Sequence, residues 1–430
     1  MANADSARRD QGKKMANATD VPKQGFRLSQ LIYDTRYRSL TIQVFVFMLF
    51  MAGAAWLVDN TVRNLAVLGK DFNFSFLGSR AGYDIAQRLV AYDSDSTHAR
   101  ALLIGLLNTL LISFLGCIAA TVIGIIVGVL RLSKNWIIGR LMTVYVEIFR
   151  NIPLLLWILL VFAVFTEVSP PPNAFREGGS ASMVLFDSIA VTNRYTAVPD
   201  PLFSRSLGNL DVGIFLISID LMAIIAAVVA GWYANVRVLR AATRIQNATG
   251  IRPTTWWKTV LLWTVPGIAT LWALGFHLAY PELRGFNFTG GINVANSFMA
   301  LWLALTLYTA AFIAEIVRAG ILAVSHGQTE AAFALGLRPH RTMSLVVLPQ
   351  ALRVIIPPLI SSYLNLTKNS SLAIAVGYLD LRGTLGGITL NQTGRELEAV
   401  LLMMLIYLAI SLSISGVMNI YNNAVKLKER

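Results

Sequence analysis

The chain has 430 residues, of which 55% are hydrophobic and only 14% charged, a composition too apolar for an ordinary soluble domain and suited to a lipid bilayer as solvent. Its formal net charge is +13, but the basic residues fall between long apolar runs rather than along an aromatic-interleaved face, which argues against nucleic-acid binding and for charge held on one side of a membrane. A single cysteine, Cys117, rules out an intrachain disulfide and a thiolate cluster. His98, His277, His326 and His340 are scattered without ligand spacing, so no metal site is expected.

Residues 1–38 hold eight Lys or Arg against four Asp, and no small-residue cleavage site follows the first apolar run, so they read as a polar cytoplasmic tail rather than a removable leader. A span needs about 20 mostly apolar residues. Eight such stretches occur, at 39–58, 104–130, 141–168, 212–233, 259–279, 297–318, 344–366 and 398–418. The fold class predicted is therefore all-α, a polytopic transmembrane bundle of about eight spans.

Eight spans return both termini to one side. Arg131, Lys134 and Arg140 follow the second span, and Arg237, Arg240, Arg244, Arg252 and Lys258 follow the fourth with no acidic residue among them. By the positive-inside rule these loops are cytoplasmic, and so are both termini. The opposite loops are charge-balanced or rich in Pro, Gly, Ser and Asn; Phe72, Phe76, Leu185 and Phe186 give the two longer ones the makings of small caps or hairpins.

Span three is interrupted by Arg150, Asn151 and Pro153, and span seven by Pro349, Arg353, Pro357 and Pro358. Both read as broken or kinked helices, which often face a transport pathway but also serve as mechanical kinks. Between spans six and seven lies VSHGQTEAAFALGLRPHRTMSLVVL, residues 324–348. Glu330, Ala331 and Ala332 begin a run of helix formers whose small residues let another surface approach; Gly336 permits a turn, and the chain re-enters the membrane through Val346, Val347, Leu348 and Pro349.

This stretch resembles the EAA loop of permeases in binding-protein-dependent ABC importers: E-A-A, three residues, Gly, nine residues, then I-x-L-P. Glu330, Ala331, Ala332, Gly336, Leu348 and Pro349 stand at those distances, with Val346 in place of Ile. The segments VEIFRNIPLLL at 146–156, FIAEIVRAGI at 312–321 and LTKNSSLAIAVG at 366–377, with Asn108 and Thr109, resemble the polar amino acid branch of that family. Enlargement by a first span, a helix pair and an outer insertion resembles the general L-amino acid permeases.

The resemblance implies a type I importer permease core with a cytoplasmic coupling helix, carrying polar L-amino acids with broad specificity by alternating access. It implies coupling through Glu330, Ala331, Ala332, Gly336, Leu337 and Pro349. It also implies a second homologous permease, a dimer of ABC ATPases, a periplasmic amino acid binding protein, and location in the bacterial inner membrane. No G-x-x-x-x-G-K-[ST] loop occurs, so the chain is expected to be no enzyme and to bind no cofactor, ATP and Mg being used by the partner ATPase. The domain order expected is a tail at 1–38, an extra span and loop at 39–103, core at 104–168, insertion and helix pair at 169–296, core at 297–420 with the coupling loop at 324–349, and a tail at 421–430.

Ionisable and polar groups near the spans are the pathway candidates: Asn108, Glu147, Arg150, Asn151, Glu315, Lys368, Asn369 and Ser370. Glu147 with Arg150, and Glu315 with Arg318, are each spaced to neutralise one another along a helix face. Ser370 or Ser371 suits a helix cap as well as a carboxylate. The competing class is an ion-gradient-driven secondary transporter, which the spans alone would permit but which needs no docking helix.

Overall fold

The structure, a computed structural model, describes residues 35–67, 72–213 and 216–425. The expected tails lie outside the described residues over 1–34 and 426–430. The chain divides into two units, Met1–Asn73 and Phe74–Arg430. The first contributes α1 (Thr35–Val67), whose 33 residues extend about 50 Å.

In the second unit, α2 (His98–Leu130) leads to a bent pair, α3 (Trp136–Asn151) and α4 (Leu154–Ala163), the latter prolonged by a wide π turn, Val164–Val168. A helical hairpin follows, α5 (Ile219–Thr249) and α6 (Trp256–Ala273). Then come α7 (Asn296–Leu322), the short α8 (His326–Ala334), α9 (Leu348–Asn369) and α10 (Glu396–Val425). Among the described residues, six helices are long and apolar enough to cross a membrane, or seven with the bent pair as one span. The expected span at 259–279 is the exception. Helix α6 stops at Ala273, its tryptophans, threonines and Lys258 dilute its apolar character, and residues 276–279 form a strand.

The predicted break in span three is present: α3 and α4 meet at 105°. Ile152 is extended (φ −102°, ψ 134°), as the residue before a proline is driven to be. The predicted break in span seven is not. Helix α9 runs through Pro357 and Pro358, and the irregularity sits before it, in a π turn at Met343–Val347 just ahead of Pro349, which has no N–H with which to continue a regular ladder.

Helix α7 is the axis of the bundle, burying 14 of its 27 residues against 13 of 33 for α2. The two meet through small residues. Ala120, Gly124 and Gly128 recur every fourth position along α2, while Gly116, one turn earlier, faces Leu366 of α9. A Cβ at Gly124 would lie 2.6 Å from the Ile313 side chain, and one at Gly128 would lie 2.7 Å from the Ala314 carbonyl oxygen. Where lipid offers no hydrophobic drive between helices, such close backbone approach supplies the packing. Larger side chains fill the next layer, with Ile112, Leu154, Ile158, Leu301 and Leu305 in one buried cluster.

The outer insertion is a small β cap rather than further helix. Strand β2 (Tyr195–Phe203) pairs antiparallel with β1 (Ala190–Val191) and β8 (Gly291–Ala295) through its first half, and with β5 (Phe276–Ala279) through its second. Hairpins β3 (Asn209–Asp211) with β4 (Leu216–Ser218), and β6 (Glu282–Arg284) with β7 (Asn287–Thr289), flank it. Strand β8 runs directly into α7, whose Asn296 amide donates to the Thr192 carbonyl at 2.8 Å. Phe76 is buried as expected of a cap, whereas Leu185 and Phe186 stand exposed on a turn.

Between α9 and α10 the chain folds back against the cap end of α2. Asn108 Nδ2 donates to the Gln87 and Leu379 carbonyls at 2.8 and 2.9 Å, and the Leu381 N–H donates to Thr109 Oγ1 at 3.0 Å. The fully buried Asp380 accepts from the Gly383 N–H at 2.8 Å and from the Tyr407 hydroxyl at 3.2 Å. Burial pushes its carboxyl up from 3.8 to about 6, against the pull of those hydrogen bonds.

Two outcomes follow from this packing. Gly124→Val should destabilise the purified protein by about 1–3 kcal/mol, read as a lower thermal midpoint in detergent, because the added carbons have no room against Ile313 and the Ala310 carbonyl. Because the folded carboxyl of Asp380 lies above its ordinary value, its stabilising contribution is complete at low pH and is lost as pH rises through about 6. Asp380→Asn should flatten the fall in thermal midpoint between about pH 4 and 6; an identical pH slope in both proteins would refute it.

Candidate functional site

Two features lie on α7 and on the chain that follows it. The first is the turn after α7. The end of α8 is a Schellman motif: the Gly336 N–H returns to the Phe333 carbonyl at 2.9 Å and the Leu337 N–H to the Ala332 carbonyl at 3.1 Å. Gly336 takes φ +75°, a left-handed conformation that a Cβ disfavours and that this motif requires. The spacing from Ala332 to Gly336 is thereby explained. Ala332 is buried, while Phe333 and Leu335 are 48% and 82% exposed. Glu330, also exposed, sits 3.0 Å from His326 Nδ1. Pro339 starts a short helical turn, Pro339–Thr342, whose Thr342 is buried, and the chain passes through the π turn into α9. Helix α8 is thus slung between α7 and α9, presenting one carboxylate and two apolar side chains away from the bundle.

The second is a pocket of about 320 Å³ between α7 and α9, lined by Tyr308, Thr309 and Phe312 on one side and Ser362, Asn365 and Asn369 on the other. Thr309 and Ser362 are buried and Asn365 is exposed, so the pocket opens on the side of the bundle. Its lining is uncharged, with hydroxyls and amides set beside two aromatic rings. Ser362 Oγ donates to the Pro358 carbonyl at 3.3 Å.

Charge lies close by. The Arg150 guanidinium sits over the Phe312 ring, 5.4 Å from its centroid, and 3.8 Å from Glu315 Oε2. Arg131, only 7% exposed, donates to the same oxygen, and Arg318 Nη2 lies 2.9 Å from Oε1. One carboxylate therefore faces three guanidinium groups, leaving a local excess of two positive charges about a helical turn from the pocket wall.

The sequence candidates divide accordingly. Asn369 lines the pocket, and Arg150 and Glu315 belong to the charged cluster beside it. The expected Glu315–Arg318 pair is formed, but Glu147 and Arg150 do not pair: Arg150 is drawn across to α7, and the Asn151 amide donates to Glu147, at 2.7 Å to its carbonyl and 3.3 Å to Oε2. Asn108 holds the folded-back segment, away from the pocket. Lys368 is exposed. Ser370 Oγ donates backward to the Thr367 carbonyl at 2.8 Å, and the helical turn that follows starts with no side-chain cap. Sequence reasoning missed Tyr308, Thr309, Phe312, Ser362, Asn365 and Arg131. Ser362, Asn365 and Asn369 carried a signal, since spacings of three and four place them as one polar stripe on an apolar helix.

The family described as binding-protein-dependent transport system inner membrane component matches residues 253–427. The matched region begins just before α6, ahead of residue 297, where the second part of the core was expected to start. The chain is 63% identical over 426 residues to the glutamate/glutamine/aspartate/asparagine transport system permease protein BztB of Rhodobacter capsulatus, covering 97% of this chain and 100% of that one. It is 44% identical over 416 residues to the general L-amino acid transport system permease protein AapQ of Rhizobium johnstonii, covering 96% and 98%. The probable glutamine ABC transporter permease protein GlnM of Bacillus subtilis is 38% identical over 159 residues, only 37% of this chain and 69% of that one. The β cap and the α5–α6 hairpin therefore lie within the region shared with the first two.

Removing the single carboxylate tests the cluster. Glu315→Gln strands Arg131 among buried neighbours and should destabilise the fold by about 3 kcal/mol, the low end for breaking a buried pair, since the Glu315 side chain keeps 25% exposure. Replacing Glu315 and Arg131 together by methionine should recover most of that loss, measured by the thermal midpoint of each purified variant.

Proposed function

The chain belongs to the binding-protein-dependent transport system inner membrane components, as a permease subunit of an amino acid ABC importer, and we propose that it passes polar L-amino acids of broad specificity through the α7–α9 pocket. The observation that carries this reading is that the coupling helix α8 is continuous with both walls of that pocket. A displacement of α8 is delivered to Tyr308, Thr309 and Phe312 through α7 and to Ser362, Asn365 and Asn369 through α9.

The chemistry of the pocket supports the substrate class. Hydroxyl and amide groups of Thr309, Ser362, Asn365 and Asn369 serve equally as donors to a carboxylate and as partners for a side-chain amide. The excess positive charge around Arg150 favours an anionic end directed toward Glu315 and its arginines. Glutamate, glutamine, aspartate and asparagine, the substrates in the name of one relative, present just these groups.

In this reading the exposed face of α8, with Glu330, Ala331, Phe333, Leu335 and Leu337 around the turn at Gly336, docks on an ABC ATPase, and Ala332 and Pro349 hold α8 to the bundle. The ATPase dimer binds ATP and Mg; this chain binds no cofactor and hydrolyses nothing. A second homologous permease covers the open side of the pocket, and a periplasmic amino acid binding protein delivers substrate at the cap end. The chain lies in the bacterial inner membrane with both termini cytoplasmic; α6, though diluted in apolar character, makes the eighth crossing because it returns the chain from the basic end of α5 to the cap strand β5, and the core is formed by 104–168 and 297–420. ATP binding opens the pathway toward the binding protein and hydrolysis returns it inward, so the two pathway shapes belong to the permeases and the free energy to the ATPase.

The test is amino-acid-stimulated ATP hydrolysis in proteoliposomes containing all four kinds of subunit, with Glu330→Arg and Gly336→Pro in this chain. Stimulation should fall about tenfold or more in each, by charge reversal on the docking face and by loss of the left-handed turn. Full stimulation in both variants would remove α8 from the coupling path, and uptake driven by an imposed ion gradient without ATP would assign the chain to secondary transport instead.

A further inference from the structure

We propose that the basic end of the α5–α6 hairpin is a binding site for the phosphate headgroups of anionic phospholipid. The inference goes beyond amino acid transport and rests only on the orientation given above. The two helices approach closely at Gly231, where a Cβ would stand 2.3 Å from the Leu262 carbonyl oxygen. That crossing fixes relative depth. At 1.5 Å per residue, Arg237 lies about 9 Å and Lys258 about 6 Å beyond it toward the basic end, so both cations, with Trp257, occupy one level.

That level is the edge of the hydrocarbon. The run from Ile219 to Val236 has 18 residues and one charge, Asp220, and extends about 27 Å, close to the thickness of a bilayer core. Arg237 stands at the boundary, and Arg240 and Arg244 continue into the headgroup region. Spacings of three and seven put these three on one face. It is directed away from Asp220, Gly231, Asn235 and Ala242, the buried positions of α5, and all three arginines are exposed.

The cations are held and left uncompensated. Arg237 donates to the Tyr233 hydroxyl at 2.6 Å and lies 4.6 Å from that ring's centroid; Lys258 Nζ lies 5.2 Å from the Trp257 ring. No Asp or Glu occurs between Asp220 and Glu282, and among the described residues none of Arg237, Arg240, Arg244, Arg252 and Lys258 joins an ion pair. Topology selection accounts for the sign of this charge. It does not require the charge to be gathered on the outward face of a helix, level with an exposed tryptophan pair, with guanidinium forks left for phosphate oxygens.

The test is photolabelling of the complete reconstituted importer by a photoreactive phosphatidylglycerol in mixed phosphatidylcholine vesicles. It compares the native chain, the triple variant Arg237→Gln, Arg240→Gln, Arg244→Gln, and the same three changed to Lys. Label should map to residues 233–258 in the native and Lys chains and fall about tenfold or more in the Gln chain, each cation contributing about fivefold to headgroup binding. Equal labelling by a photoreactive phosphatidylcholine, undiminished labelling of the Gln chain, or crosslinking of this face to another subunit in place of lipid would overturn the proposal. None of these readouts depends on which solute the importer carries.

Discussion

The fit of α2 against α7 through glycine and alanine is the constraint on which the remaining geometry depends. With Gly124 and Gly128 set against Ile313 and the Ala314 carbonyl, the two helices have no slack in which to tilt past one another, and they behave as one body. Everything functional is referred to that body. The cap grips the first residue of α7, the pocket opens beside its middle, Glu315 gathers arginines from two other helices further on, and α8 follows from its end. Relative motion must then fall where the packing is irregular: at the 105° bend between α3 and α4, and at the π turn before α9.

The electrostatics are divided in space. The pocket itself is lined by hydroxyls, amides and aromatic rings, while four charges stand outside it, three positive and one negative. In the proposed reading, such an uncharged lining would bind a zwitterion without committing to one side chain, and the neighbouring positive excess would bias orientation without neutralising the substrate fully. A full salt bridge inside the pocket would hold substrate tightly in a low-dielectric setting and oppose release. Broad specificity fits the arrangement that is present.

The membrane spans and the turn at Gly336 were legible in the sequence for different reasons. Apolar runs of span length are imposed by the bilayer itself, so α2, α7 and α10 were found with ends at most seven residues off. The distance from Ala332 to Gly336 is imposed by the Schellman hydrogen bonds, so it survives as a linear pattern. The break at Pro153 was legible because the residue before a proline is forced extended. What failed was long-range. Arg131 and Glu315 are 184 residues apart, and nothing local marks Arg131 as more than a loop cation. Glu147 and Arg150 looked paired because their spacing allows it, but Glu315 offered Arg150 a less exposed partner. Tyr308, Thr309 and Phe312 are ordinary helix residues until α9 is laid beside them, and the prolines of α9 overstated a break that the helix does not make.

The most direct test of the central claim, that the α7–α9 pocket is the passage coupled to α8, is uptake of labelled glutamate measured together with ATP consumption in the reconstituted importer carrying Ser362→Leu and Asn365→Leu in this chain. The account predicts that uptake per ATP hydrolysed falls about tenfold or more, while the subunits still co-purify and the ATPase remains docked on α8. Uptake per ATP equal to that of the native importer would place the passage elsewhere and leave the pocket a packing defect between two helices.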